Sequence, residues 1–253
     1  MALKLMQICQ YFQHQEFPYF VVKLLWGEND QWVYKSLSKW DNKDVDIKAL
    51  TKPLWINERL QVSGDTCLIP FSKIAVCDVE CLILECQTIT IEEFEILTGS
   101  GNVTALHLTK SFIQDKNGDN VPLEDIIEAV PKIELLRILH STNSFVFHQK
   151  SAVEMLLPSS LKKLILWNVI EDFNIEECFK LIKKNQQINF RLYSYYEWTT
   201  EVTKTIQMLT DNLIEAWLPE NEPPNISFQG QTFESKEKLR NLNVSHRTHK
   251  MSI

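Results

Sequence analysis

The feature that most constrains this chain is a short apolar phrase, apolar-x-x-Leu-x-Leu, that returns along its middle. The clearest copy is Val79, Leu82 and Leu84, within Val-Glu-Cys-Leu-Ile-Leu. It recurs as Val103, Leu106, Leu108, then as Ile133, Leu136, Ile138, then as Leu161, Leu164, Leu166. The copies start 24, 30 and 28 residues apart, and weaker ones flank them at Leu60 with Val62 and at Phe190 with Leu192. Alternation within each phrase marks a strand, because successive side chains point to opposite faces.

A phrase at such a period is the pattern of leucine-rich repeats, each a short strand with a returning helix. The expected fold is therefore α/β: a leucine-rich-repeat-like solenoid with a short parallel sheet, helices on its outer face and a short helical N-terminal segment. The connecting segments carry helix starts. Thr90-Ile-Glu-Glu93 has capping-box form. Asn120-Val-Pro-Leu-Glu-Asp joins an Asn to an early Pro and first-turn acids, ahead of a stop at Pro131. Asn174-Ile-Glu-Glu177 repeats the pattern. Helical spacing of Val202, Ile206, Leu209 and Leu213 predicts a capping helix over about 200–213.

Four segments follow. Residues 1–25 read as a helical segment made of a short helix, a turn and a second apolar stretch. Leu3, Leu5, Met6, Ile8, Cys9 and Phe12 stand at helix-like positions, with Pro18 as a first-turn residue. Residues 26–52, with Trp26, Trp32 and Trp40, read as a polar connector with one short helix or hairpin, and 53–218 as the repeat domain. After Pro219-Glu-Asn-Glu-Pro-Pro-Asn225 the segment 219–253 reads as a polar, disordered tail.

If the Leu-x-Leu residues point inward, the intervening ones project from the sheet. These are Arg59 and Gln61; Cys81, Ile83 and Glu85; Ala105, His107 and Thr109; Leu135, Arg137 and Leu139; Lys163, Ile165 and Trp167; and Asn189, Arg191 and Tyr193. Trp, Tyr and Arg are the residues enriched at protein interfaces. Arg137, Ile165, Trp167, Arg191 and Tyr193 are thus the candidate partner-binding residues.

Other chemistry finds little support. A net charge of −7 argues against nucleic acid as the main partner, although residues 231–253 carry five Lys/Arg against two Glu. Cys77, Cys81 and Cys86 lack the paired Cys-x-x-Cys spacing of a zinc site, and Cys86 falls where such repeats bond neighbouring backbone. Asp115-Lys-Asn-Gly-Asp-Asn120 lacks the glycine and glutamate that a calcium loop needs at its sixth and twelfth positions, and reads as a turn. With no nucleophile motif, phosphate loop or metalloprotease helix, the chain reads as a non-enzyme without metal or cofactor. No apolar run reaches membrane-spanning length and the first residues lack a signal-peptide core, so the expected location is intracellular, cytoplasmic or nuclear, with reduced cysteines.

Two stretches carry a family resemblance. Ala2-Leu-Lys-Leu-Met-Gln-Ile-Cys-Gln-Tyr-Phe12 resembles the end of an F-box. Phe17-Pro-Tyr-Phe-Val-Val-Lys23, Lys52-Pro-Leu-Trp-Ile56 and Lys73-Ile-Ala-Val-Cys-Asp78 resemble the nematode F-box proteins, in which a degenerate leucine-rich-repeat region follows the F-box. The resemblance covers roughly residues 2–220, and the usual opening half of the F-box, its Leu-Pro and first helix, has no counterpart before Met1. It implies a substrate receptor of a cullin-RING ubiquitin ligase, with the repeats holding a protein target. Leu5, Ile8, Cys9 and Phe12 would face a Skp-type adaptor. The competing expectation is a stand-alone repeat module with no ligase link, in which residues 1–25 cap the first repeat.

Overall fold

The computed structural model describes residues 17–37, 42–139, 157–169 and 174–251. The chain divides into two compact units, 1–118 and 119–253. Each is α/β with a mostly parallel sheet.

In the first unit the strands are β1 (Phe20–Glu28), β2 (Gln31–Lys35), β3 (Asn42–Asp44), β4 (Leu54–Ser63), β5 (Ile74–Cys77), β6 (Cys81–Glu85) and β8 (Ala105–Thr109). They lie in the order β8-β6-β4-β1-β2-β3, with β5 also against β4. The run from β1 through β4 and β6 to β8 is parallel, whereas β1–β2 and β2–β3 are antiparallel. Two short strands, β7 (Thr88–Thr90) and β9 (Phe112–Gln114), pair in parallel and flank helix α1 (Ile91–Thr98). The expected capping box is present. Thr90 Oγ1 accepts from Glu93 N at 3.2 Å, and Glu93 Oε2 accepts from Thr90 N at 2.9 Å.

In the second unit β10 (Leu135–Leu139), β11 (Lys163–Trp167), β12 (Asn189–Ser194) and β13 (Asn225–Phe228) are all parallel, in that order. Helices α2 (Leu123–Glu128), α3 (Ile175–Lys184), α4 (Thr200–Glu215) and α5 (Phe233–Met251) complete it. Asn174 Oδ1 caps α3 through Glu177 N, as expected. The N-cap of α2 is Pro122, which has no side-chain donor or acceptor, rather than Asn120.

The repeat phrase is the core. Leu82, Leu84, Leu106, Leu136, Ile138, Leu164 and Phe190 are all within 2% of full burial. Register aligns them across strands: Leu60 with Leu82 and Leu82 with Leu106 in the first unit, Leu136 with Leu164 and Leu164 with Phe190 in the second. A slip of one residue would bring the polar set inside, so the apolar alternation itself pins the register.

Three strand exits are handled in a similar way. Cys86, Lys110 and Asn168 take left-handed backbone (φ 56°, 48° and 58°), turning the chain out of β6, β8 and β11. The following buried side chains then tie turn to turn. Ser111 Oγ contacts Leu84 O at 3.0 Å and accepts from Gln87 N at 3.1 Å. Gln87 Nε2 donates to Gly64 O at 2.7 Å, and Ser194 Oγ donates to Val169 O at 3.0 Å. Cys86 was expected to bond neighbouring backbone through its side chain. Instead it is exposed, and Gln87, one residue on, does that work from a buried position.

Two segment readings change, and the connector takes its expected hairpin form. Residues 20–25 are not helical: they begin β1, because Phe20, Val21 and Val22 favour extended backbone and pair with Leu54, Trp55 and Ile56 of β4. The Trp-rich connector contributes sheet, with Trp32 buried and β2 completing a hairpin through Asn29 and Asp30, both at positive φ. Most of the segment expected as a disordered tail is ordered. Past Pro224, Ile226 and Phe228 alternate into the core as β13, Gly230 (φ 83°) turns the chain, and Thr232 Oγ1 accepts from Ser235 N to start α5.

Candidate protein-binding face

The alternation that buries Leu136, Ile138, Leu164, Leu166, Phe190 and Leu192 leaves a second set of side chains on the opposite face of β10–β12. Parallel register arranges these as rows. One row is Arg137, Ile165, Arg191 and Asn225; the next is Leu139, Trp167, Tyr193 and Ser227; a third is Leu135, Lys163 and Asn189. All five predicted partner-binding residues therefore share one patch.

Within the patch the side chains make specific contacts. The Trp167 and Tyr193 rings lie 5.1 Å apart, tilted by 44°. Tyr195, just past β12 and 67% exposed, lies 6.2 Å from Trp167. The Arg137 guanidinium sits over the Trp167 ring, 5.5 Å from its centroid, so its charge meets the negative face of the π system. Arg191 Nε donates to Asn189 Oδ1 at 3.3 Å. Arg137, Trp167, Arg191 and Tyr193 are half-buried. Ile165 differs from its expected role as an open contact: at 8% exposure it forms the floor, between strands carrying Arg137 and Arg191.

Electrostatically the patch stands apart from the rest of the chain. The strands β10 to β13 contain no Asp or Glu, and their three cations, Arg137, Lys163 and Arg191, all fall in the non-core phase. Lys163 was not among the site candidates, although its place two residues before Ile165 puts it there. Tyr195 was also missed. Its signal, the aromatic run Tyr193-Ser-Tyr-Tyr196, is visible only once β12 is known to end at Ser194.

The corresponding face of the first unit is mixed. Register sets Trp26, 37% exposed, beside Gln61, and Gln61 beside Ile83 and then His107. Arg59 pairs in register with Cys81, whose thiol is pushed up by burial while the arginine charge opposes the shift. An open cleft of about 870 Å³ elsewhere in this unit is lined by Asp30, Asp44, Asp46, Lys48 and Lys73, among others. There Lys48 pairs with Asp30 at 3.4 Å, and Asp46 Oδ1 accepts from the backbone of Lys48 and Ala49. Among the described residues no group of three or more His, Cys, Asp or Glu is placed to hold a metal ion. Nor, among them, is any helix long and apolar enough to cross a membrane. The adaptor candidates Leu5, Ile8, Cys9 and Phe12 lie outside the described residues.

Compared with known proteins, the chain matches no protein-family model, no curated protein sequence and no solved structure.

Proposed function

We propose that the chain is a non-enzymatic protein-interaction module, a leucine-rich-repeat-like solenoid that holds a protein target on the face of β10–β12. The observation that carries this reading is the contiguous set Arg137, Trp167, Tyr193 and Tyr195 on one sheet face. Aromatic and arginine side chains supply most of the energy at protein interfaces, since each combines a large contact area with a polar end. Spacing supports the repeat reading: strands β6, β8, β10, β11 and β12 begin 24, 30, 28 and 26 residues apart, each with the same inward phase.

The sequence resemblance of residues 2–12 and 17–23 favours a more specific role, an intracellular F-box-like substrate receptor of a cullin-RING ubiquitin ligase. In that role Leu5, Ile8, Cys9 and Phe12 dock a Skp-type adaptor; without it the module acts alone. Co-purification with a Skp-type adaptor separates the two. The informative truncation removes residues 1–16 and no more, because Phe20–Leu25 form part of β1 against β4. Adaptor binding by the full chain that disappears on this truncation supports the receptor. Absence of binding by the full chain leaves a stand-alone module. Target binding is tested separately with Trp167→Ala/Tyr193→Ala: capture of a cellular protein that survives this double change would overturn the assignment of the face.

A further inference from the structure

From the charge and register of this face, and resting on its reading as a target-binding surface, we infer that its partner is an acidic, extended peptide segment carrying an aromatic or aliphatic anchor. The chain as a whole is acidic, with 33 Asp and Glu against 26 Lys and Arg. Against that background, four strands with three cations and no carboxylate make a local positive field. The cations converge on one patch: Arg137 and Arg191 flank Ile165 in the same row, and Lys163 stands two residues before Ile165 on the same strand.

The spacing suits a peptide. Neighbouring strands lie about 4.8 Å apart, which sets the Arg137 and Arg191 backbones about 10 Å from each other across β11. Residues i and i+2 of an extended peptide are about 7 Å apart, so acids at alternate or nearby positions fall within reach of both guanidinium groups. Exposed Tyr195, beside half-buried Tyr193, gives an apolar shelf next to them for the anchor side chain.

The state of Arg137 decides between peptide and nucleic acid. Its guanidinium covers one face of the Trp167 ring, and Tyr193 packs against the same ring at 5.1 Å. A base has little of that ring left to stack upon. A guanidinium instead carries a planar fork of N–H donors, the geometry that grips a carboxylate with two parallel bonds.

The test is selection of short random peptides displayed on phage against the full-length protein, followed by binding of the selected peptides in solution. Selected sequences rich in Asp and Glu with an aromatic or aliphatic residue are expected. Their affinity should fall at least about tenfold in Arg137→Gln/Arg191→Gln, and should weaken as salt is raised from about 0.1 M to about 1 M. Arg137→Lys/Arg191→Lys, which keeps charge but not the planar fork, should recover only part of the loss. Thermal melts of each variant separate lost binding from lost fold. Selection of basic or uncharged peptides, no selection at all, or tighter binding of a uridine oligonucleotide than of any acidic peptide would overturn the inference. So would a cellular partner whose capture needs Trp167 and Tyr193 but survives Arg137→Gln/Arg191→Gln. That last result would leave the protein-binding reading intact and remove only the acidic specificity.

Discussion

Replacing Ser111 with alanine isolates the polar network that ties consecutive turns together. Ser111 is 2% exposed, and its hydroxyl accepts from Gln87 N at 3.1 Å while lying 3.0 Å from both Leu84 O and Thr109 O. A hydroxyl has one proton to give, so it satisfies one of those carbonyls and the Gln87 N–H together. Alanine satisfies neither, and it leaves the N–H of buried Gln87 without this acceptor. Stranding one buried backbone group costs about 1–3 kcal/mol, and the lost oxygen leaves a gap too small to refill. The expected cost of Ser111→Ala is about 2 kcal/mol, a fall of roughly 4–8 °C in melting temperature for a chain of this size. Hydrogen exchange gives a local readout, because the Gln87 amide should exchange about 30-fold faster. Ser100→Ala is the control: its hydroxyl accepts from Asn102 N on an exposed turn, and its loss should cost under about 0.5 kcal/mol. A Ser111→Ala protein as stable as the Ser100→Ala control, with Gln87 exchange unchanged, would refute the argument that this network closes the turns.

Four further outcomes follow from the same physics. Truncating Phe190, 2% exposed, to alanine should cost about 3–5 kcal/mol, whereas Trp167→Ala, on the half-buried face, should cost far less in a urea titration and act mainly on binding. Thr232→Ala removes the cap on Ser235 N and should loosen α5 by about 1 kcal/mol, seen as faster proteolysis past residue 232. Burial pushes the thiols of Cys77 and Cys178 up to about 12; iodoacetamide at pH 8 should therefore label exposed Cys86 well before either. The same shifts have a stability sign. The unfolded thiols ionise from pH 9 while the folded ones stay protonated until about 12, so stability is intact below pH 9 and should fall above it, by about 1 kcal/mol per thiol at pH 10 in a pH-dependent melt.

Much of the core was legible in the sequence, for a local reason. The phase of Leu82, Leu84, Leu106, Leu108, Leu136, Leu164 and Leu192 is carried by nearest-neighbour alternation, and so are the caps at Thr90 and Asn174, whose partners lie three residues away. Burial of one face follows from such patterns without knowing what covers it. The same alternation placed Arg137, Trp167, Arg191 and Tyr193 together in the opposite phase.

What the sequence by itself determined, then, is the strand phase, the helix starts and the membership of the face. Tertiary structure decided the rest, through contacts distant in sequence. Residues 20–25 are apolar enough for helix or strand, and it is pairing with β4, some 34 residues on, that makes them strand. The tail looked unable to fold because its composition is polar. Two apolar residues, Ile226 and Phe228, suffice once β12 offers them a paired edge. Ile165 sits in the outward phase yet is buried, in register between Arg137 and Arg191 on the two strands beside it. And Gln87 rather than Cys86 closes the turn, since the left-handed backbone at Cys86 rotates its side chain outward and aims the next one in. Local pattern sets which way a side chain faces; only the neighbours brought by the fold determine whether that direction leads to water.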